Sequence, residues 1–214
     1  MTKRSYRTLG VVGLAFGLAV AIACTMLILR GAQGDGVDAG LVLTARLAFV
    51  FFWPCYVAGA LVSLFGPVFM PLRRYARDLG LAFAAVELVH LSLVARLCWI
   101  GEAPSRSTFI LFGSAAIFVA IIALLSFDFA RRHVNDRVIR AIRWVGMNLI
   151  IYAFAVDFLH SPLSGGAKHI IEYLPFTTLS LAGPVLRLLA WMKTIDRILR
   201  HSPYVTGLGA RRAP

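Results

Sequence analysis

Charged side chains are scarce in this chain, and acidic ones are the scarcest. Of its 214 residues only 15% are charged, with 10 Asp and Glu against 22 Lys and Arg, while 59% are hydrophobic. The mean hydropathy of +0.79 lies outside the range of an ordinary soluble domain. The sequence therefore predicts an all-α, polytopic membrane protein whose short connections leave no room for a second sizeable domain.

The motifs of soluble-enzyme chemistry are also missing. Cys24, Cys55 and Cys98 are odd in number and have no CxxC spacing, which argues against a disulfide framework or a thiolate metal site. The sequence has no phosphate-binding glycine loop and no Ser-His-Asp arrangement. Its formal charge of +12 lacks the aromatic interleaving of nucleic-acid-binding surfaces. We therefore expect a lipid bilayer, and no nucleic acid, as a partner.

Six apolar runs are long enough to cross a bilayer as helices. Pro54 and Pro184 fall inside the second and sixth runs, where we expect bends and not breaks. Residues 193–214 form a basic tail after the last run. We predict one six-transmembrane-helix bundle over 1–214, with spans at about 9–29, 47–65, 79–100, 109–127, 141–159 and 173–192.

Basic residues are concentrated at alternate ends of these spans. Such residues near span ends are retained on the cytoplasmic side, whereas the opposite connections of this chain are nearly balanced in charge. We therefore expect a multi-pass protein of the bacterial inner membrane with both termini in the cytoplasm. A lipoprotein signal ending near Cys24 fits less well, because the first apolar run is long for a signal core. The basic ends are 3–7, 73–77, 131–143 and 193–212.

Two histidines lie deep inside apolar spans, and each follows a carboxylate by three residues: Glu87 precedes His90, and Asp157 precedes His160. This spacing puts each pair on one helix face. Ionisable groups at membrane depth are costly and usually face a functional interior. Counted from Arg77 and Arg143 at the basic ends, the two histidines differ in depth by about 6 Å at 1.5 Å per residue. We expect their imidazoles to reach across a shared internal gap.

Two neutral imidazoles on facing helices are the axial ligands that a low-spin b-type haem needs. We predict that His90 and His160 bind haem iron, and that Glu87 and Asp157 accept the other imidazole N–H groups. Alternatively, the two pairs hold a non-haem metal, although that site lacks the two further carboxylates of bundle di-metal proteins. A third interpretation pairs Glu87 with Arg187, which should lie at a similar depth.

One segment of the third span carries a resemblance to a known family. It reads PLRRYARDLGLAF over 71–83, with His90 following. This resembles the arginine-rich entry, Leu-Gly pair and histidine of the ferric-reductase-like transmembrane domain family. Size and layout over about 41–200 are most similar to a branch of that family, the haem-binding membrane subunits of bacterial periplasmic methionine sulfoxide reductase systems. Of this likeness, only 71–90 is distinctive.

The resemblance implies a cytochrome b domain that moves electrons from a quinol or a cytoplasmic flavoprotein to an acceptor on the outer side. His90 matches the third-helix ligand of the family and His160 matches its outer fifth-helix ligand. Met147 stands where the family has a second fifth-helix histidine. Methionine can ligate haem iron, but no inner third-helix histidine opposes it here. We therefore expect one haem b, and a second remains open.

The propionates of an outer haem would point to the external surface, where Arg96 is the best expected cation and Arg46 another. No flavin-binding domain follows the sixth span, so the electron donor should be a separate protein or a quinol. A role as the electron-transfer subunit of an oxidoreductase stays open. The remaining alternative is a cofactor-free scaffold, in which Met147 marks a lost ligand.

Overall fold

The computed structural model describes residues 3–132, 134–164 and 167–200, without the side chains of 3, 4, 128, 131 and 160–170. Across these ranges the chain is helical apart from short connections, and a single 3₁₀ turn at Pro67–Phe69 precedes the third helix. The α-helices are α1 (Lys3–Arg30), α2 (Asp35–Phe65), α3 (Met70–Trp99), α4 (Arg106–Leu124), α5 (Asp128–Arg131), α6 (Asp136–Ser164) and α7 (Ala167–Arg200).

Six of these helices, all except the short α5, are long and apolar enough to span a membrane, which confirms the all-α six-helix bundle. Several begin earlier than the apolar runs. Helix α2 begins at Asp35, and its first-turn carboxylates, Asp35 and Asp38, interact favourably with the helix dipole. Helix α7 continues to Arg200, which pairs with Asp196 at 3.0 Å one turn earlier. The predicted basic tail is therefore helical over 193–200, and 201–214 lie outside the described residues.

The prolines do not interrupt their helices, as the sequence predicts. Pro54 lies inside α2, and both Pro175 and Pro184 lie inside α7. One turn before Pro184, the Trp53 indole donates to the Leu179 carbonyl at 2.7 Å, so α2 supplies a donor to this part of α7. The two helices come close here, because a Cβ on Gly183 would lie 3.1 Å from the ring of Tyr56.

The bundle packs in two groups that meet along α2. Helix α3 packs on α1 and α2, whereas α6 packs on α4 and α7, and α2 also contacts α7. Buried aromatic rings join the groups: Phe49 lies 5.1 Å from Phe154 and 5.0 Å from Phe158, both edge-on. Between α3 and the α4–α6 pair the packing is loose, and two cavities occupy this space.

A buried carboxylate fixes α1 against α3. Asp78 is 1% exposed and accepts hydrogen bonds from Arg7 Nη2 at 2.7 Å, Arg7 Nε at 3.1 Å and Thr8 Oγ1 at 2.8 Å. The Arg7 guanidinium also lies 4.4 Å from the centre of the Tyr75 ring. A buried charge needs such partners, because an unpaired carboxylate inside a membrane bundle is costly.

Candidate functional site

The larger cavity, here called the histidine cavity, has a volume of about 500 Å³, within the range of small-molecule and cofactor sites. It lies between α3 on one side and α4 and α6 on the other, and α2 and α7 contribute further lining residues. Its lining is mostly apolar and aromatic, including Phe83, Phe112, Phe154 and Phe158. An apolar wall with a few polar groups is the usual form of such a site.

The structure brings three of the predicted site residues to this one cavity. Glu87 and His90 line it from α3, and Asp157 lines it from α6. The two carboxylates and the first histidine therefore line one shared space. His160 lies in α6 one turn beyond Asp157, and its side chain is outside the described part of the chain.

The His90 ring is held by a hydroxyl on the neighbouring helix. Its Nδ1 lies 2.9 Å from Thr44 Oγ1, and that oxygen lies 2.8 Å from the Gly40 carbonyl and 3.2 Å from the Leu41 carbonyl. Because the hydroxyl has one proton and carbonyls only accept, Thr44 donates to the backbone and accepts from Nδ1–H. Nε2 then keeps its lone pair, and the ring also makes a hydrogen bond to the Leu41 carbonyl.

Thr44 is the residue that sequence reasoning missed. It is fully buried in α2, at the depth of His90. The apolar run that marks the second span begins at about residue 47, so hydropathy places Thr44 in the preceding connection. The role of the Thr44 hydroxyl becomes apparent only when the neighbouring helix is known, because its partner, His90, lies 46 residues away in sequence.

The predicted pairing of Glu87 with Arg187 is wrong. Arg187 lies 4.5 Å from the centre of the Tyr56 ring, on the side of α7 that faces α2. Tyr56 in turn donates to the Asn148 amide oxygen at 2.9 Å. Depth along a helix does not determine which neighbour a side chain faces, and α7 packs on α2 and α6. Among the described residues, Glu87 has neither an ion pair nor a hydrogen bond through its carboxylate.

The two predicted propionate partners do not line the histidine cavity. Arg96 donates to the Ala32 carbonyl through Nε at 2.9 Å and Nη2 at 2.6 Å, which joins α3 to the α1–α2 connection. Arg46 faces α7: its guanidinium lies 4.6 Å from the Tyr173 ring centre and 3.9 Å from a Glu172 oxygen. The Nε atom of Arg46 is buried without a hydrogen-bond partner in the described structure.

A second cavity, here called the arginine cavity, lies nearer the basic helix ends and has a volume of about 360 Å³. Arg77 lines it from α3, and Arg143 and Met147 line it from α6. Phe83, Val119 and Ile150 line both cavities and form the wall between them. Met147 is therefore in a different cavity from His90.

Where the structure describes the chain, no three His, Cys, Asp or Glu side chains lie close enough together to hold a metal ion. Glu87, His90 and Asp157 share a cavity without forming such a cluster.

Comparison with known proteins identifies no relative: no family model matches the chain, and neither a curated protein nor a solved structure matches it significantly.

Proposed function

We propose that the chain is a membrane b-type cytochrome that transfers electrons across a bacterial inner membrane, with haem in the histidine cavity. The observation that carries this proposal is the His90 imidazole, whose Nδ1–H is directed to Thr44 while Nε2 is left for a ligand. Histidines that bind a metal usually donate the other ring N–H to an acceptor, which fixes the tautomer and ring orientation.

The cavity suits a flat, largely apolar cofactor. Its volume and aromatic lining are of the kind that cofactor sites have, and His90 on α3 would supply a nitrogen ligand to the haem iron. His160 on α6 is the proposed second ligand. When bound, haem would supply one-electron chemistry by cycling its iron between the ferric and ferrous states. Phe83, Phe154 and Phe158 would exclude water, which affects the potential of a haem site.

The direction of transfer follows from the proposed orientation. With the basic helix ends in the cytoplasm, the arginine cavity faces that side and the histidine cavity lies towards the outer surface. Electrons would arrive from a quinol or a separate flavoprotein and leave to an outer acceptor protein. This is the arrangement that the resemblance to the ferric-reductase-like family implies, and among its branches the methionine sulfoxide reductase subunits are the proposed relatives.

The test is an absorption spectrum of protein purified from haem-replete cells, oxidised and then reduced with dithionite. We expect a Soret band that is lost in His90→Ala and in His160→Ala. His133→Ala is the matched control, since His133 lies in a predicted loop and should leave the band unchanged. A colourless wild-type protein, or a full Soret band in His90→Ala, would contradict the proposal.

A second candidate function is a non-haem metal-binding or metal-transporting bundle. It is favoured by Glu87 and Asp157, which line the same cavity as His90. Stoichiometric zinc, manganese or iron without porphyrin, lost in Glu87→Ala and Asp157→Ala, would select this function over the cytochrome. Normal cellular function after replacement of both His90 and His160 would instead support a cofactor-free scaffold.

A further inference from the structure

The arginine cavity contains two cations and, among its described lining residues, no acid. Arg77 makes no hydrogen bond or ion pair with any described residue, and its Nε atom is fully buried. The adjacent carboxylate cannot serve it, because Asp78 is already bound by Arg7 and Thr8. A buried guanidinium nitrogen without an acceptor is uncommon, since buried polar groups are normally paired.

The second cation also has donors to spare. Arg143 is an exposed residue at the edge of the cavity, and its Nη2 makes one long contact, to the Leu125 carbonyl at 3.4 Å, although a guanidinium carries five N–H donors. Two guanidinium groups with free donors, on helices that face each other across a cavity, fit an anionic group with several acceptor oxygens. Phosphate is such a group, and arginine binds it in a bidentate manner.

The surroundings of the cavity point to a lipid as the carrier of that phosphate. Apart from the arginines the lining is mostly apolar, with Phe52, Ile122 and Ile150 among its members. Next to Arg143, Trp144 is 64% exposed on the helix surface, and Phe127 on the adjoining connection is 53% exposed. Exposed aromatic side chains at the ends of spans mark the membrane–water interface. The mouth of the cavity therefore lies at headgroup level.

We propose that the arginine cavity binds the phosphate group of an anionic membrane phospholipid through Arg77 and Arg143. Basic pockets between transmembrane helices on the cytoplasmic side bind such headgroups. The acyl chains of the lipid would lie along the apolar surface of α4 and α6. This site is separate from the histidine cavity, and the proposal does not depend on a haem.

The experiment is native mass spectrometry of the full-length protein released from nanodiscs that contain phosphatidylglycerol and phosphatidylcholine. We expect wild-type protein to retain phosphatidylglycerol selectively. In Arg77→Gln/Arg143→Gln, retention should fall roughly tenfold or more, given the contribution of each basic residue near an anionic lipid surface. The matched control is Arg73→Gln/Arg74→Gln, which removes two exposed arginines from the same helix and should leave retention nearly unchanged.

Two further variants separate a specific cavity from general surface charge and from misfolding. Ala123→Leu fills the cavity without changing the charge and should also lower retention. Arg77→Lys keeps the charge but not the bidentate geometry, so it should restore part of the retention. Size-exclusion profiles and unfolding midpoints of all variants establish that each is folded.

The following results would overturn the proposal. Equal losses in both double variants would mean that the lipid is held by surface charge alone. Absence of selective retention in the wild type would exclude the site, as would full retention in Arg77→Gln/Arg143→Gln. Binding of inorganic phosphate with no lipid retained would assign the cavity to a soluble phosphate. Each result is a lipid count, so it is independent of whether the protein binds haem.

Discussion

The histidine cavity and the arginine cavity are built from the same helices and share a wall, yet their polar groups are opposite in kind. Helix α3 contributes Arg77 to one cavity and Glu87 and His90 to the other, about 15 to 20 Å further along the helix at 1.5 Å per residue. Arg77 and Arg143 lie nearer the basic helix ends, and Glu87 and His90 lie nearer the middle of the span. Such a distribution lowers the cost of placing ionisable side chains in a bilayer.

The two cavities also differ in how their polar groups are supported. His90 is oriented by Thr44, which is itself bonded to the backbone of α2. Arg77 has no such support from the described residues, since the neighbouring Asp78 is engaged by α1. An oriented imidazole with one free nitrogen suits a ligand held in fixed geometry, whereas an unpaired guanidinium suits an anion that brings its own acceptors. Substitutions in the histidine cavity should therefore change haem binding, and substitutions in the arginine cavity should change lipid retention.

The largest effect is expected from removing the shared wall. Phe83 is 5% exposed and packs on Phe52 at 5.1 Å between ring centres. Phe83→Ala should merge the cavities and lower the free energy of unfolding by about 3 kcal/mol, measured by denaturant titration in micelles. Phe112 lines only the histidine cavity and is partly exposed. Phe112→Ala is therefore the control and should lower the free energy of unfolding by less. Equal losses of unfolding free energy in the two variants would show that the wall between the cavities contributes no more to stability than the rest of the lining.

The next largest effect should arise beside the arginine cavity, at the buried ion pair that joins α1 to α3. Arg7→Ala leaves the buried Asp78 carboxylate without its cation and should cost about 2 kcal/mol of unfolding free energy. Because Asp78 adjoins Arg77, phosphatidylglycerol retention should change while the haem spectrum does not. The double variant Arg7→Met/Asp78→Leu removes the stranded charge and should recover stability. Lower stability in the double variant than in Arg7→Ala would contradict this account.

The third effect should be confined to the histidine cavity. Thr44→Val removes the acceptor of His90 Nδ1–H with little change in shape, and should weaken haem binding about tenfold. Titration of haem into apoprotein measures the change, and Thr44→Ser, which keeps the hydroxyl, is the control. Lipid retention in the arginine cavity should be unaffected. If the valine and serine variants bind haem equally, the hydroxyl does not position the imidazole.

Hydropathy predicts the bundle because each span must be apolar over its length, and this signal needs no knowledge of packing. It fails at helix ends. Asp35 and Thr44 interrupt the apolar pattern of α2, although one interacts with the helix dipole and the other is buried against His90. The start of α2 therefore depends on interactions that a hydropathy window does not contain.

Residues three apart lie on one helix face. The spacing of each carboxylate and its histidine therefore predicts a shared interior, which Glu87, His90 and Asp157 line. Spacing within one helix cannot say which helix lies opposite. The sequence therefore allows an ion pair between Arg187 and Glu87, whereas in the structure Arg187 packs on Tyr56. The partner of His90 and the unpaired state of Arg77 likewise depend on tertiary contacts, so the sequence gives no signal for Thr44 or for the arginine cavity.

The smallest effect concerns Arg96, which the sequence favours as a haem propionate partner. In the structure its Nε and Nη2 donate to the Ala32 carbonyl, and the side chain lies outside both cavities. Because this contact is exposed, Arg96→Gln should cost less than about 1 kcal/mol of unfolding free energy. Its Soret band and haem affinity should equal those of the wild type. A weaker affinity would show that Arg96 leaves Ala32 and turns to the cofactor when haem binds, which would extend the histidine cavity to the end of α3.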